Sequence, residues 1–245
     1  MITRGQKILL VNKDRKYLVK CEGRFSTKDG TVDLDKMVGK KFGKVVKFGP
    51  EKYTVVEPTV TDFLEKGAKR LPQAIIPKDA SIILAITGLG KDSIIVDSGT
   101  GSGFLAIFLG AHAKKVYSYE RNPDFAKGAA DNVKRSGLEN IIITNKDFSA
   151  CKEKDADVVT LDMQEPNIKK ANSVLKPGGW LCIFCLHMEQ VQNMCKQLED
   201  MEFTRPMIVE NILRNWQCQI GSKTYTRPKT QMLGHTGFLV FSRKL

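Results

Sequence analysis

The sequence predicts an α/β fold, a doubly wound and mostly parallel sheet with a small basic β-rich domain in front of it. Three observations carry that expectation. From residue 94 onward, short apolar runs alternate with stretches of helical spacing, the pattern of parallel strands joined by crossover helices. Residues 1–60 break instead into short strand-like runs separated by turn residues such as Asp29-Gly30 and Gly49-Pro50. At the head of the alternating region, Asp97-Ser98-Gly99-Thr100-Gly101-Ser102-Gly103 follows a buried apolar run and precedes a helical one, the local order of a nucleotide cradle.

In the N-terminal domain, strands are expected at 7–11, 16–21, 23–27, 30–33, 44–48 and 53–57. Residues 61–80 form a linking segment behind Pro58, with Thr61 or Asp62 as the expected helix cap, and open the larger domain, 61–245. There the expected elements are a strand at 94–98, a helix at 103–109 and a strand at 115–120. A helix at 123–136 follows, opened by Asn122-Pro123-Asp124, where a proline in the first turn sacrifices no hydrogen bond. Strands at 140–145 and 157–162 come next, and the turn Lys176-Pro177-Gly178-Gly179 leads into an apolar strand at 180–186.

With 245 residues, 42% of them hydrophobic, the chain has material for a core without disulfide staples. No run approaches the roughly 18 apolar residues of a membrane span, and no apolar signal core follows the N-terminal basic residues, so a cytoplasmic protein without a membrane partner is expected. Six cysteines lack the regular spacing of a secreted scaffold. Cys182 and Cys185 form C-x-x-C, but inside an apolar run and with no second pair, so buried thiols are expected and no metal site. Net charge is +12, and residues 1–60 hold fourteen Lys or Arg against seven Asp or Glu, so the N-terminal quarter carries more than half of the excess. Such a basic patch is the footprint of a polyanion, which in a cytoplasmic protein points to nucleic acid, with a merely solvated basic face as the competing reading.

A dinucleotide fingerprint, G-x-G-x-x-G, would need its third glycine at Phe104. The pattern present is acidic-x-G-x-G-x-G, which suits S-adenosylmethionine: a cationic sulfonium without a pyrophosphate tolerates Asp97 beside it. Gly99, Gly101 and Gly103 let the backbone approach the ligand. Glu120, ending the next strand about 20 residues on, is the candidate ribose ligand. Asp97, Glu120, Asp147 and Asp162 all fall at expected carboxyl ends of strands, where open α/β sheets bind ligands.

Asp157-Val158-Val159-Thr160-Leu161-Asp162-Met163-Gln164-Glu165-Pro166 resembles the tRNA adenine-N1 methyltransferases that act at position 58 of the T loop. Leu71-Pro72-Gln73-Ala74-Ile75-Ile76-Pro77-Lys78-Asp79 is similar to that family's Q-x-x-x-P-K-D segment, and Ser118-Tyr119-Glu120-Arg121 with Asp124-Phe125-Ala126 to its second cofactor motif. Arg227-Pro228 and Gly234-His235-Thr236-Gly237-Phe238-Leu239 extend the resemblance, which runs from about 70 to 245. It implies a class I, Rossmann-like methyltransferase fold, S-adenosylmethionine as donor, tRNA as partner and a homotetramer. It assigns Thr100, Ser102, Gly103, Phe104, Leu105, Glu120, Phe125 and Asp147 to the cofactor, and Asp162 to both cofactor and base as the catalytic residue. Glu120 would hold the ribose, Asp147 the adenine amine, and Phe125 would stack on the ring or serve as helix core. Gln73, Ile76 and His235, the last in a late strand, are candidate substrate contacts. Ile76 and Asn167 depart from the family, which often has an aromatic or histidine and a tryptophan there. A noncatalytic RNA-binding subunit, a methyltransferase for another RNA base and, less compatible with Phe104, a nicotinamide oxidoreductase are the alternative readings.

Overall fold

In the computed structural model, which describes residues 1–70, 74–221 and 224–245, hydrophobic alternation explains the first of two compact units, Met1–Lys69. Its elements are β1 (Lys7–Val11), β2 (Lys16–Lys20), β3 (Arg24–Thr27), β4 (Gly30–Asp33), β5 (Val45–Phe48), β6 (Glu51–Val56) and α1 (Val60–Lys66). Strands β2-β1-β6-β5 form an antiparallel sheet, and β3 and β4 a separate hairpin. On β5, Val46 and Phe48 point into the core while Val45 and Lys47 face solvent, the period of two that a half-buried strand requires. Ile8, Leu10, Leu34, Phe48, Tyr53 and Val55 are part of one buried cluster.

The first unit runs to Lys69 and includes α1, past the expected domain boundary at residue 60, and within it two boundaries differ from expectation by more than one residue, for identifiable reasons. The Gly49-Pro50 turn has only two residues, so Phe48 pairs with Glu51 and β6 starts at Glu51 rather than at 53. The cap of α1 is Thr59, not Thr61 or Asp62. Thr59 Oγ1 accepts from the Asp62 amide (3.2 Å) while the Asp62 carboxylate accepts from the Thr59 amide (3.0 Å), a reciprocal box that satisfies two exposed donors.

The second unit, Arg70–Leu245, contains α2 (Pro77–Thr87), β7 (Ile94–Ser98), α3 (Phe104–Gly110), β8 (Lys115–Tyr119), α4 (Pro123–Ser136), β9 (Ile141–Thr144), β10 (Ala156–Leu161), α5 (Ile168–Val174), β11 (Leu175–Cys185), α6 (Met188–Glu199), β12 (Met207–Glu210), β13 (Trp216–Gln219), β14 (Tyr225–Pro228) and β15 (Phe238–Arg243). Seven strands form one sheet in the order β12-β15-β11-β10-β7-β8-β9. The five from β7 to β11 run parallel, and β15 and β12 add antiparallel pairs at one edge. Chain order reverses between β7 and β10, so the crevice above their carboxyl ends is the switch point at which such sheets take ligands. Ile95, Val96, Val158, Val159, Leu181 and Ile183 are all at most 1% exposed, as central strands covered on both faces must be.

The Lys176-Pro177-Gly178-Gly179 segment does not precede β11 but lies within it. Leu175 already pairs with Ala156, Trp180 pairs with Val158, and the residues between bulge out, with Gly178 at φ +76°. Lys244 satisfies the bulge, its carbonyl accepting from the Gly178 amide and its amide donating to Gly179 O (both 2.9 Å). His235 lies in the loop before β15, not in a strand. No helix among the described residues is long and apolar enough to cross a membrane.

Candidate active site

The turn after β7 is built around a backbone contact that only glycine permits. Gly99 has φ +85°, its amide donates to Tyr119 O on β8 (3.0 Å), and a Cβ placed on it would stand 1.8 Å from Asp162 O. The amide of Asp162 in turn donates to Ser98 O (2.8 Å), so the ends of β7 and β10 are laced together with the turn between them. Gly103, at φ +77°, begins α3 where its backbone meets Ala129 of α4; a Cβ would come within 3.3 Å of the alanine methyl.

Below the turn, a buried polar knot fixes three strands. The Asp97 carboxylate accepts from Ser118 Oγ on β8 (2.5 Å) and from Thr160 Oγ1 on β10 (2.6 Å), and Ser118 Oγ also pairs with Thr100 Oγ1 (2.6 Å). Asp97 thus sits inside the sheet as a strut rather than at the open tip. Burial, opposed in part by those hydroxyls, pushes its carboxyl above the ordinary range.

Glu120 follows β8 and is 8% exposed. Each of its oxygens accepts one backbone amide, Oε2 from Gly101 (3.0 Å) and Oε1 from Asn122 (2.9 Å), which leaves lone pairs on both for further donors. Asn122 caps α4, and Phe125 in the first turn of that helix is 40% exposed, which rules out the helix-core reading of this ring. Asn145, after β9, donates to Glu120 O (2.8 Å) and Arg121 O (3.2 Å), tying the loop that carries Asp147 to the loop that carries Glu120. Asp147 is exposed and accepts from the Ser149 amide (2.9 Å); that bond, helped by nearby Arg121, holds its carboxyl below the usual range.

Asp162 follows β10 and is half-buried. Burial, then the Asp97 and Glu120 carboxylates, push it up to about 7, so its ionised form has its own neighbours as adversaries. Glu120 and Asp162 at one crevice, with Asp97 buried beneath them, favour a cationic ligand. A second feature points the same way: Ser102 Oγ is buried in the turn and has no hydrogen-bond partner among the described residues. The Ser102 carbonyl accepts from Asn132 on α4 (2.9 Å), which holds the turn from behind. A glycine turn open to a ligand backbone, a diol acceptor at Glu120, an orphan hydroxyl and a surplus of negative charge fit a sulfonium nucleoside such as S-adenosylmethionine.

The structure therefore brings together residues 99–105, Glu120 and Asp162, with Phe125 in the first turn of α4, whose cap Asn122 donates to Glu120, and Asp147 on a loop bonded to Glu120. Gln73 lies outside the described residues. Ile76 caps α2 through its backbone, and Asn167 caps α5, its side chain accepting from the Lys170 amide (2.9 Å). Asn132, Asn145 and Gln190 were not singled out from sequence. For Asn132 a signal existed, an amide on the buried stripe of an amphipathic helix with Ala126, Ala129 and Val133. Gln190 and Asn145 act through backbone carbonyls, which no spacing reveals. Cys182 and Cys185 are buried on β11, and no group of three or more His, Cys, Asp or Glu among the described residues could hold a metal ion.

Residues 68–223 match the family described as tRNA methyltransferase complex GCD14 subunit. The tRNA (adenine(57)-N(1)/adenine(58)-N(1))-methyltransferase TrmI of Methanocaldococcus jannaschii is 30% identical, over 97% of this chain and 94% of its own. The crystal structure of tRNA (m1A58) methyltransferase TrmI from Aquifex aeolicus superposes with a TM-score of 0.83 at 28% identity, covering 99% of this chain and 98% of that one. A Thermotoga maritima structure described as a SAM-dependent O-methyltransferase gives 0.86 at 29% identity, covering 99% and 94%. The last two descriptions differ in the acceptor atom and agree that each protein is a methyltransferase.

Proposed function

The chain belongs to the GCD14 tRNA methyltransferase family, and on that premise we propose that it transfers a methyl group from S-adenosylmethionine to N1 of an adenine in the T loop of tRNA. The single observation that carries the proposal is the crevice above β7 and β10, where the glycine turn, Glu120 and a strongly perturbed Asp162 converge. Position 58 is the proposed acceptor, and the adjacent adenine is the second candidate because the Methanocaldococcus relative carries both positions in its name.

When bound, S-adenosylmethionine supplies an electrophilic methyl group on a cationic sulfur. The residues that would hold it are the amides and Ser102 hydroxyl of the turn, Glu120 at the ribose hydroxyls, and Asp147 and Phe125 around the adenine. Asp162 is assigned to the acceptor base. Its carboxylate accepts from the exocyclic amine, orients the ring, and offsets the positive charge that N1 methylation places on the purine. Positioning and charge suffice here, because the ring nitrogen needs no proton removed before it reacts.

The N-terminal unit is assigned to RNA. Lys47 and Lys52 face each other across β5 and β6, both exposed, an arrangement that costs stability unless an anion lands there. Exposed Lys40, Lys41 and Lys44 precede them in sequence. A T-loop adenine is stacked and must be turned out of the RNA at a cost of a few kcal/mol, which phosphate contacts help to offset. Assembly as a homotetramer in the cytoplasm completes the proposal. The assembly is supported by exposed Met207 and Ile208 on edge strand β12, exposed Trp216 on β13 and exposed Ile220 next to it.

Calorimetry with the chain alone tests the reading. Stoichiometric binding of S-adenosylmethionine, no binding of NAD and methyl transfer to tRNA without a second protein are expected. Binding of tRNA with no affinity for the donor would favour the noncatalytic subunit.

A further inference from the structure

His235 faces an oxygen with each ring nitrogen. Nδ1 lies 2.6 Å from Glu210 Oε1, and Nε2 lies 3.3 Å from the Leu186 carbonyl oxygen. A carbonyl has no proton to give, and neither has an ionised carboxylate, so the ring satisfies both contacts only by donating from both nitrogens, as the imidazolium. Glu210 ends β12, Leu186 follows β11, and His235 precedes β15, so one ring joins three segments. Beside it, Lys78 Nζ donates to Asn211 O (2.6 Å) and to Thr236 Oγ1 (2.7 Å) and is ion-paired with buried Asp79. The residue pairs 210–211 and 235–236 are thus both pinned, and they are the two roots of the excursion between β12 and β15. That excursion carries the exposed hairpin β13–β14, and from 211 to 245 the sequence contains no Asp or Glu.

The chain of bonds continues toward Asp162. The Leu186 amide donates to Gln190 Oε1 (3.1 Å), and Gln190 Nε2 donates to Met163 O (3.1 Å), the carbonyl next to Asp162. We propose that His235 is a positioning residue rather than a substrate ligand. As an imidazolium it clamps the roots of the 211–236 arm to the end of β11 and, through Leu186 and Gln190, sets the loop that presents Asp162 to the base. The inference rests on the proposed reaction for its functional consequence but not for its structural content. The charged groups facing the ring are Glu210 from β12, which favours the cation and with the Leu186 carbonyl raises its pKa, and Lys78 from α2, which opposes it; the Phe238 ring lies 5.0 Å away.

The chain has only three histidines, so 15N-imidazole spectra, assigned with His235→Gln, resolve each of them. The expected result is that His235 carries protons on both nitrogens at pH 6.5 and titrates above the ordinary value of about 6.5, and that Glu210→Gln lowers its midpoint. Amide exchange across 211–236, corrected for intrinsic rates, should accelerate as pH rises through that midpoint. The acceleration should be lost in His235→Arg, which keeps a cation at all accessible pH, and KM for tRNA should follow the same midpoint while donor affinity does not. A neutral His235 tautomer at pH 6.5, or arm exchange indifferent to both pH and Glu210→Gln, overturns the inference. The spectra and exchange need neither donor nor tRNA, so their failure is distinct from a failure of the proposed reaction.

Discussion

Replacing Asp162 by asparagine should make the protein more stable and nearly inactive at the same time. In the folded chain Asp162 is pushed up to about 7, by burial first and by Asp97 and Glu120 next, against an ordinary unfolded value of about 3.9. Because the native state holds the proton more tightly than the unfolded state, stability falls as pH rises from about 4 to about 7, and above 7 the full cost is present. Three pH units at about 1.36 kcal/mol each set a ceiling of about 4 kcal/mol for that cost at pH 8. Asparagine keeps the shape and removes the ionised form. At about 2–4 °C per kcal/mol for a chain of this size, the Tm of Asp162→Asn should exceed that of the parent at pH 8 by at most about 8–16 °C, with the gap narrowing toward pH 5. Scanning calorimetry of both proteins without donor, from pH 5 to 8.5, measures it. In parallel the methylation rate should fall by about 10²–10⁴. A Tm gap that does not change with pH, or a variant less stable than the parent at pH 8, would refute the claim that Asp162 is held against its own charge.

Other consequences are as direct. Ser102→Ala deletes a buried hydroxyl that has no partner among the described residues, so Tm should hold or rise slightly, while affinity for S-adenosylmethionine drops about 3- to 10-fold by calorimetry. Gly99→Ala drives a methyl group into the Asp162 carbonyl and should cost more than about 3 kcal/mol of stability in denaturant melts, with donor binding lost. Lys47→Glu with Lys52→Glu should raise KM for tRNA and flatten the dependence of log K on log salt by about 0.7–0.9 per phosphate contact removed, leaving donor affinity unchanged.

Much of this architecture could be read along the chain. The apolar run at 94–98, the Asn122-Pro123 helix start and the Asp29-Gly30 turn are strong local signals, and β7, α4 and β4 fall where those signals put them. What escaped was set by partners distant in sequence. Helix α1 starts at Thr59 because Asp62 reaches back to it, and β11 starts at Leu175 because β10 and Lys244 hold the bulge from either side. In the site, the turn and Glu120 were visible as a motif, yet Asp97 proved to be a buried strut, since Ser118 and Thr160 come from neighbouring strands. The sequence puts His235 in a strand, whereas its ring is held in a loop by Glu210 and Leu186, at sequence distances of 25 and 49 residues. The departures at Ile76 and Asn167 have a local reading, for both occupy helix caps.

The most direct measurement is methyl transfer from labelled S-adenosylmethionine to an unmodified tRNA transcript, followed by nucleoside analysis and mapping of the label. The prediction is 1-methyladenosine in the T loop at position 58, abolished by replacing that adenine unless its neighbour is also an acceptor. Label in another nucleoside, or no transfer by a chain that binds the donor and tRNA, would contradict the assignment of Asp162 and its crevice to adenine N1.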